Sequence, residues 1–355
     1  MKEGNIIKFA LIGCGAISKK HVAAIEGLKK AEIVGAYDIS HKAAKAFEKT
    51  YKIPTFRSVE ELVEKTNPDV LSILTPSGDH GRRVLDLLRF KKHLVVEKPL
   101  ALRLDHIDEI LRRADEEGVS IFVVQQNRLN PPVQKLKQAI DEERFGKLVL
   151  GTIRVRWTRD QAYYDERPWR GTWANDGGVL TNQASHHIDT LVWLMGEVES
   201  VMAKTGTQLV DIETEDTGIG IIKFRNGALG VIEATTAARP KDLEGSISVL
   251  GEHGAVEIGG FFMNELKTWN FVEEKESDKE IWTSHAKTPN EFAWNHAHFL
   301  KDVLHSISNK KKGLVDGLEG RKSVELINAL YESAETGQEI FLRYVQKKSK
   351  LGQDV

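Results

Sequence analysis

Short apolar runs alternate with amphipathic segments over the first 127 residues of the chain. Such runs are typical of buried strands, and the segments between them carry apolar residues at helical spacing. We predict strands at 7–12, 32–37, 69–74, 93–96 and 119–125. A helix should follow Gly15, and further helices are predicted at 40–50, 58–66, 79–89 and 104–117. This alternation predicts an N-terminal α/β domain over residues 1–127, with a parallel, doubly wound sheet.

The pattern changes after Asn127. A helix at 131–143 precedes segments in which apolar and polar residues alternate, which is typical of strands with one buried face. We predict six such strands, at 147–157, 199–209, 214–224, 227–236, 244–250 and 254–258. Helices are predicted at 184–195, about 290–308 and 317–335. Residues 128–345 should therefore form an α+β domain with one large, mostly antiparallel open sheet, and residues 346–355 a polar tail.

Composition narrows the classes of function. The net charge of −2 gives no global attraction to nucleic acid or membranes, and no apolar run is long enough to span a bilayer. Cys14 is the only cysteine, which excludes an internal disulfide. We see no signal peptide in the first residues and expect a cytoplasmic protein. A sheet covered on one face only would expose apolar surface, so we expect a homo-oligomer, a tetramer or a dimer.

The first strand leads into a glycine-rich turn. Gly13, Gly15, Ala16 and Ile17 fit the dinucleotide fingerprint G-x-G-x-x-G, except that Ser18 stands at the third glycine. The turn would place a pyrophosphate at a helix N-terminus. Asp38 ends the second strand, where a carboxylate binds ribose hydroxyls and repels a 2′-phosphate. The turn therefore predicts a Rossmann domain that binds NAD rather than NADP.

Two further segments carry candidate catalytic groups. Lys98 follows a buried strand within Glu97-Lys98-Pro99, where burial would lower the lysine pKa and favour proton transfer; taken alone, a lysine at a strand end is more often a solvated charge. Thr75 and Pro76 close another strand. A double glycine, Gly177-Gly178, precedes Asn182, which we expect as the N-cap of a helix beginning near Gln183. His186 lies on that helix, and His187 is interpreted as a packing or surface residue.

Together these motifs resemble the Gfo/Idh/MocA family of sugar and cyclitol dehydrogenases over nearly the whole chain. The resemblance implies that Lys98 and His186 are catalytic and that the nicotinamide lies beside Lys98. It also implies a cofactor site made of Gly13, Gly15, Ala16, Ile17, Asp38, Thr75, Pro76, His80, Glu97 and Lys98. Many members have Asp-Ile-Gly where this chain has Asn182-Gln183-Ala184. The carboxylate that assists proton transfer in inositol-type members is therefore missing, which disfavours an inositol dehydrogenase.

Three segments resemble one branch of that family, which oxidises UDP-linked 2-acetamido sugar acids: 126–131, 169–173 and 177–189. Arginines and aromatic residues crowd residues 154–173, where guanidinium groups suit a diphosphate or carboxylate and rings can stack on a base or sugar. The expected substrate-binding residues are Gln126, Arg128, Arg156, Tyr163, Arg170, Thr172, Asn182, His186 and Arg239. In some members 2-oxoglutarate regenerates NAD, and the sequence leaves open whether it does so here.

Two alternatives stay open: a dehydrogenase of free sugars or cyclitols, and a non-catalytic NAD-binding regulator. The presence of both Lys98 and His186 argues against the regulator. Histidine spacing gives no metal motif, because His296 and His298 do not share a helix face and His186 and His187 are adjacent. We therefore expect no metal.

Overall fold

The computed structural model describes residues 6–342, so the predicted tail at 346–355 lies outside the described residues. The N-terminal sheet has five parallel strands in the order β2-β1-β3-β4-β5. The strands are β1 (Ile7–Ile12), β2 (Ala31–Tyr37), β3 (Val70–Ile73), β4 (His93–Val96) and β5 (Ile121–Val123). The helices are α1 (Ser18–Glu26), α2 (His41–Tyr51), α3 (Val59–Thr66), α4 (Ser77–Leu87) and α5 (Leu104–Glu116). The predicted Rossmann fold is confirmed.

The second sheet has eight strands, two more than we predicted. They are β6 (Leu148–Arg156), β7 (Val198–Gly206), β8 (Thr217–Phe224), β9 (Leu229–Thr235), β10 (Glu244–Gly251), β11 (Gly254–Gly259), β12 (Glu265–Phe271) and β13 (Ile340–Phe341). Their order is β12-β11-β10-β6-β9-β8-β7-β13, and the pairing is antiparallel except between β6 and β9. The predicted large, mostly antiparallel sheet is confirmed. The missed strands lie at its two edges, where β13 has only two residues.

Helices cover one face of this second sheet. The helices after residue 127 are α6 (Pro131–Asp141), α7 (Gln161–Asp165), α8 (Ser185–Met195), α9 (Ser277–Glu280), α10 (Trp294–Asn309) and α11 (Gly317–Thr336), and α6, α8 and α11 are the ones that pack in the core of this sheet. Along β6, Ile153 and Val155 are buried in the core beneath the helices, whereas Arg154 and Arg156 point to the opposite face. On that open face Ile219 and Ile221 of β8 remain 53% and 58% exposed. None of the helices within residues 6–342 is long and apolar enough to cross a bilayer.

The C-terminal helices return to the N-terminal sheet. Phe299, Leu300 and Val303 of α10 join the core on the α1 side of that sheet. Val324 of α11 joins the core on the other side, and the last residue of β5 donates its amide to the carbonyl of Val315. Residues after 127 therefore help to cover both faces of the cofactor-binding sheet. Sequence periodicity predicted α10 and α11 but could not show which sheet they would cover.

Candidate active site

The glycine turn after β1 is exposed to solvent at Gly15, and its conformation is fixed by contacts at Gly13 and Cys14. Gly13 has φ +111°, and a Cβ there would lie 2.8 Å from the carbonyl oxygen of Leu74, so only glycine fits. Gly15 is exposed, with open space where a side chain would be. Asp38 accepts the amide of Cys14 at 2.8 Å, which ties the turn to the end of β2. The exposed amides at the α1 N-terminus leave room for an anion such as a pyrophosphate.

Other predicted cofactor residues line the same edge of the sheet. Ala16 and Pro76 are exposed, and Ile17 and Thr75 are partly exposed, at the ends of β1 and β3. His80 corrects the prediction, because it is buried and its ring nitrogens lie 2.7 and 2.8 Å from the carbonyl oxygens of Pro99 and Thr75. It therefore braces two loops beside the cleft and offers no free polar group to a cofactor.

Glu97 lies behind the site in a buried cluster with two histidines. Its Oε1 is 2.8 Å from Nε2 of His21 and 3.6 Å from Nε2 of His296. Burial acts to raise the pKa of Glu97, but the two histidines hold this pKa well below its usual range. The ligand atoms lie within 4.8 Å of one another, and among residues 6–342 this is the one such group of three that could hold a metal ion. The sequence missed it because His21 and His296 are far apart in the chain.

Lys98 and His186 meet from opposite domains. The Lys98 Nζ donates to the backbone carbonyl of Asn182 at 2.6 Å. Burial lowers the lysine pKa, and the charges of Asp176 and Glu97 act against that shift. Burial and the Lys98 charge lower the pKa of His186 well below its usual value, so the imidazole is neutral. The arrangement therefore offers an amine of lowered pKa and a neutral imidazole, both able to accept protons.

The tautomer of His186 follows from its neighbours. Its Nδ1 lies 2.7 Å from Oε1 of Gln125, which can only accept, so Nδ1 carries the hydrogen. Its Nε2 lies 3.3 Å from the side-chain nitrogen of Gln126 and is left as the acceptor. Gln126 therefore contacts the candidate base, as expected for a residue of the substrate site, whereas the sequence did not single out Gln125.

The segment before α8 corrects the expected helix cap. Val179–Gln183 form a π-helical turn, and α8 begins at Ser185 after Ala184, which gives no side-chain cap. Asn182 is thus inside a wide turn, and its side-chain amide donates to the carboxylate of Asp176. This turn aims the carbonyl of Asn182 at Lys98. His187 is fully buried and contacts Trp157, as a packing residue would.

Several predicted substrate residues are joined to this centre by direct contacts. The Gln183 amide donates to Oδ1 of Asn182 at 2.8 Å and to the hydroxyl of Tyr163 at 3.1 Å. The Arg170 guanidinium lies 4.0 Å from the centre of the Tyr163 ring. The carbonyl of Thr172 accepts the amide of Asp176 at 3.1 Å. One contiguous network therefore runs from Lys98 through Asn182 and Gln183 to Tyr163 and Arg170.

Arg128 does not belong to the substrate site. Its side chain is 1% exposed, forms a bidentate pair with Asp189 at 2.7 and 2.8 Å, and contacts Glu319 at 2.9 Å. Its charge is thus fully engaged within the helical layer, between the short helix that holds it and α8 and α11. Asp189, the last residue of the segment 177–189, is its buried partner. The sequence predicted a substrate-binding role for Arg128 because a motif does not show whether a side chain is buried.

Arg156 lies apart from the Lys98 centre, whereas Arg239 is linked through Arg159 to Tyr163. Arg156 pairs with Glu233 at 2.6 Å and Glu244 at 3.3 Å on the open face of the sheet, opposite the helices. It therefore cannot reach the site of its own subunit, which corrects the prediction. Arg239 is exposed beyond the end of β9 and donates to three carbonyls, those of Thr236, Ala238 and Arg159.

Two acidic residues that the sequence did not single out lie beside the π-helical turn. Asp176 is buried immediately before the double glycine. Glu215 accepts the amide of Leu180 and the hydroxyl of Tyr331, both at 2.9 Å. Burial raises the pKa of Glu215 to about 7. The sequence signal for Asp176 was that its carboxylate directly precedes the motif that carries His186. No sequence signal indicated Glu215.

The fold and this site define a NAD-binding oxidoreductase. Residues 7–125 match the oxidoreductase family with an NAD-binding Rossmann fold, and residues 133–257 match the GFO/IDH/MocA C-terminal domain. The chain belongs to the GFO/IDH/MocA family, as its motifs indicated.

Two solved structures and one curated relative are similar to this chain over nearly its full length. The WlbA dehydrogenase of Bordetella pertussis, in complex with NADH and UDP-GlcNAcA, is 39% identical with a TM-score of 0.92, covering 96% of this chain and 99% of that one. The WlbA enzyme of Chromobacterium violaceum, with the same ligands, is 39% identical with a TM-score of 0.90, covering 97% and 98%. The myo-inositol 2-dehydrogenase of Thermotoga maritima is 25% identical over 96% of this chain and 99% of its own length.

Proposed function

We propose that this protein uses NAD to oxidise the C3 hydroxyl of a UDP-linked 2-acetamido-2-deoxyglucuronic acid, as a step in bacterial polysaccharide synthesis. The observation that carries the proposal is the full-length likeness, at 39% identity, to two structures that hold NADH and UDP-GlcNAcA. The hydrogen bond from Lys98 to Asn182 and the effect of the Lys98 charge on the pKa of His186 support it, because alcohol oxidation needs a proton acceptor beside the nicotinamide.

The residues divide the chemistry in a simple way. When bound, NAD accepts the hydride at C4 of the nicotinamide ring. Lys98, whose pKa burial lowers, takes the hydroxyl proton. The unprotonated Nε2 of His186, which lies 3.3 Å from the side-chain nitrogen of Gln126, orients that hydroxyl or serves as the alternative base. The Asn182 carbonyl holds the Lys98 amine in place throughout.

Cationic side chains around Tyr163 suit the anionic parts of this substrate. Arg170 and Arg159 lie 4.0 and 5.3 Å from the centre of the Tyr163 ring, and Arg239 donates to the carbonyl of Arg159 at 3.1 Å. A diphosphate and a carboxylate each bind guanidinium groups well. We assign the recognition of these anions to Arg159, Arg170 and Arg239, which leaves no such role for Arg128 or Arg156.

A homo-oligomer completes the proposal. The open face of the second sheet carries Ile219 and Ile221 beside Arg156 and its acidic partners. Apolar residues interspersed with paired charges suit a self-complementary interface. Light scattering should give a tetramer, and Ile221→Lys should shift it to smaller species; a monomeric parent protein would contradict this.

The second candidate is a free-sugar or cyclitol dehydrogenase, which the Thermotoga relative favours. NADH formation should be measured with UDP-GlcNAcA, with the same sugar acid lacking UDP, and with myo-inositol. The proposal expects kcat/KM to be at least about tenfold higher with UDP, because one charge-assisted hydrogen bond contributes about 1.5–3 kcal/mol. Equal values would replace it with the second candidate. Added 2-oxoglutarate tests whether NAD is regenerated in place.

A further inference from the structure

Asp176 is a buried carboxylate with two fixed hydrogen bonds. Its side chain is 2% exposed, and Oδ2 accepts the amide of Gly171 at 2.9 Å. Oδ1 accepts the side-chain amide of Asn182. The backbone carbonyl of the preceding Asn175 accepts the amide of Gly78 at 2.8 Å, which fastens this loop to the first turn of α4 at the cofactor edge. The carboxylate is therefore held close to the meeting point of the two domains.

Asn182 connects this carboxylate to Lys98. The side chain of Asn182 donates to Asp176, and its backbone carbonyl accepts the Lys98 Nζ at 2.6 Å. Asn182 thus spans the two oppositely charged groups. Asp176 and Glu97 act on Lys98, whereas Lys98, Arg170 and the neighbouring Glu215 act on Asp176. The pKa of His186 is affected by the charges of Lys98 and Glu97 together with those of His187 and His296.

We infer that Asp176 is the positioning residue for Lys98, and that it provides the negative charge that the side chain of Asn182 does not carry. It fixes Asn182, so that the carbonyl holds the amine, and it stabilises the ammonium formed when Lys98 takes the substrate proton. Asp176 itself makes no contact with the reacting atoms. The inference rests on the proposed function only in taking Lys98 as the proton acceptor.

The electrostatic consequence has a definite sign. Burial raises the pKa of Asp176 and lowers that of Lys98, and the attraction between their charges opposes both shifts. Removing the Asp176 charge therefore lowers the Lys98 pKa further. Because Lys98 must be unprotonated to act as a base, the acid limb of the rate profile then moves to lower pH. A purely structural role would lower the rate without moving that limb.

The test is the single-turnover rate of NADH formation from UDP-GlcNAcA across pH for wild type, Asp176→Asn and a double variant. Asp176→Asn should lower the plateau rate by about 10²-fold and move the acid limb down by about 1 pH unit. The double variant Asp176→Asn, Asn182→Asp places a carboxylate at position 182. The side-chain oxygen of the asparagine at position 176 can still accept the backbone amide of Gly171, and its NH2 group can donate to the new carboxylate at position 182. That carboxylate can still accept the side-chain amide of Gln183. This swap should restore the rate and the limb to near their wild-type values.

Glu215→Gln provides a matched control. Glu215 is also a buried carboxylate beside the π-helical turn and interacts with Asp176, but it is bound to Leu180 and Tyr331 and is absent from the charges that act on Lys98. Its replacement should leave the acid limb in place. An unmoved limb in Asp176→Asn, or a limb that moves equally in Glu215→Gln, would overturn the inference.

A second measurement needs no substrate. Competitive acetylation of the full-length protein, followed by mass spectrometry of the peptide that contains Lys98, gives the pH at which this amine becomes reactive. Asp176→Asn should lower that pH, and the swap should restore it; no change would again overturn the inference. If UDP-GlcNAcA is not oxidised at all, the proposed function fails, whereas this titration still decides the relation between Asp176 and Lys98.

Discussion

The cofactor edge and the substrate side of the site are assembled from the chain in different ways. The glycine turn, the start of α1 and Asp38 lie within one strand–helix–strand unit, so their spacing in sequence determines their spacing in space. The substrate side joins β4, the segment 161–183 and α8 with side chains from the loop after β5. Sequence motifs therefore locate the functional groups of the cofactor edge, whereas those of the substrate side are brought together only by tertiary packing.

The largest effect should come from the residue at which both sides meet. Lys98→Met removes the proton acceptor, so turnover should fall by about 10²–10⁴-fold. Affinity for NAD, measured by calorimetry, should change little, because the pyrophosphate is expected at the α1 N-terminus. Lys91→Met, at an exposed lysine near the opposite end of β4, is the control and should keep full activity. Near wild-type turnover in Lys98→Met would refute the assignment.

The second largest effect should come from Arg128, and it distinguishes a structural arginine from one that binds substrate. Arg128→Met leaves the buried Asp189 without its bidentate partner, although Glu319 keeps its pair with Lys322, so the free energy of unfolding should fall by about 3 kcal/mol or more. Arg89→Met breaks an exposed pair with Glu60 and should cost under about 1 kcal/mol. Denaturant titration measures both. Unchanged stability with a raised KM would return Arg128 to the substrate site.

A matched pair of arginines sharpens the map of the substrate side. Arg170→Ala should raise the KM for the UDP-sugar roughly tenfold, through loss of one charge-assisted interaction. Arg156→Ala removes an arginine on the opposite face of the sheet and should leave KM near its wild-type value. Initial-rate kinetics on both variants check this, and an equal rise in KM would show that the open face contributes to the site.

The cofactor edge predicts a preference of more than about tenfold for NAD over NADP, because Asp38 would face the additional 2′-phosphate. Asp38→Asn should narrow the ratio of kcat/KM values for the two cofactors. Asp69→Asn is a fair control, since Asp69 also accepts a backbone amide, that of Lys8 at 2.8 Å, away from the glycine turn. Equal use of both cofactors by the wild type would remove the role given to Asp38.

The smallest expected effect concerns the cluster of His21, Glu97 and His296. Its hydrogen bonds already compensate the buried carboxylate, so a chelator should leave turnover and thermal stability unchanged. Metal analysis of the purified protein is the accompanying measurement. Loss of activity on chelation, reversed by a divalent ion, would show that this cluster holds a metal after all.

The same division explains what the sequence could predict. Strand periodicity and the turn around Gly13 were sufficient for the fold and the cofactor class, because both depend on short-range patterns. Arg128 and Arg156 were assigned wrongly because a motif shows that an arginine is present but not which carboxylates surround it. Asp176 was overlooked because its importance depends on Asn182, whose side chain was expected to cap a helix.

The return of α10 and α11 to the first sheet limits how substrate preference can be transferred between relatives. A chimera joined after Asn127 would exchange not only the substrate side but also Phe299, Leu300 and Val324, which pack on the sheet that binds the cofactor. The two domains therefore cannot be exchanged independently of each other. Substrate range in such a protein can diversify through loops such as 161–183 more readily than through exchange of whole domains.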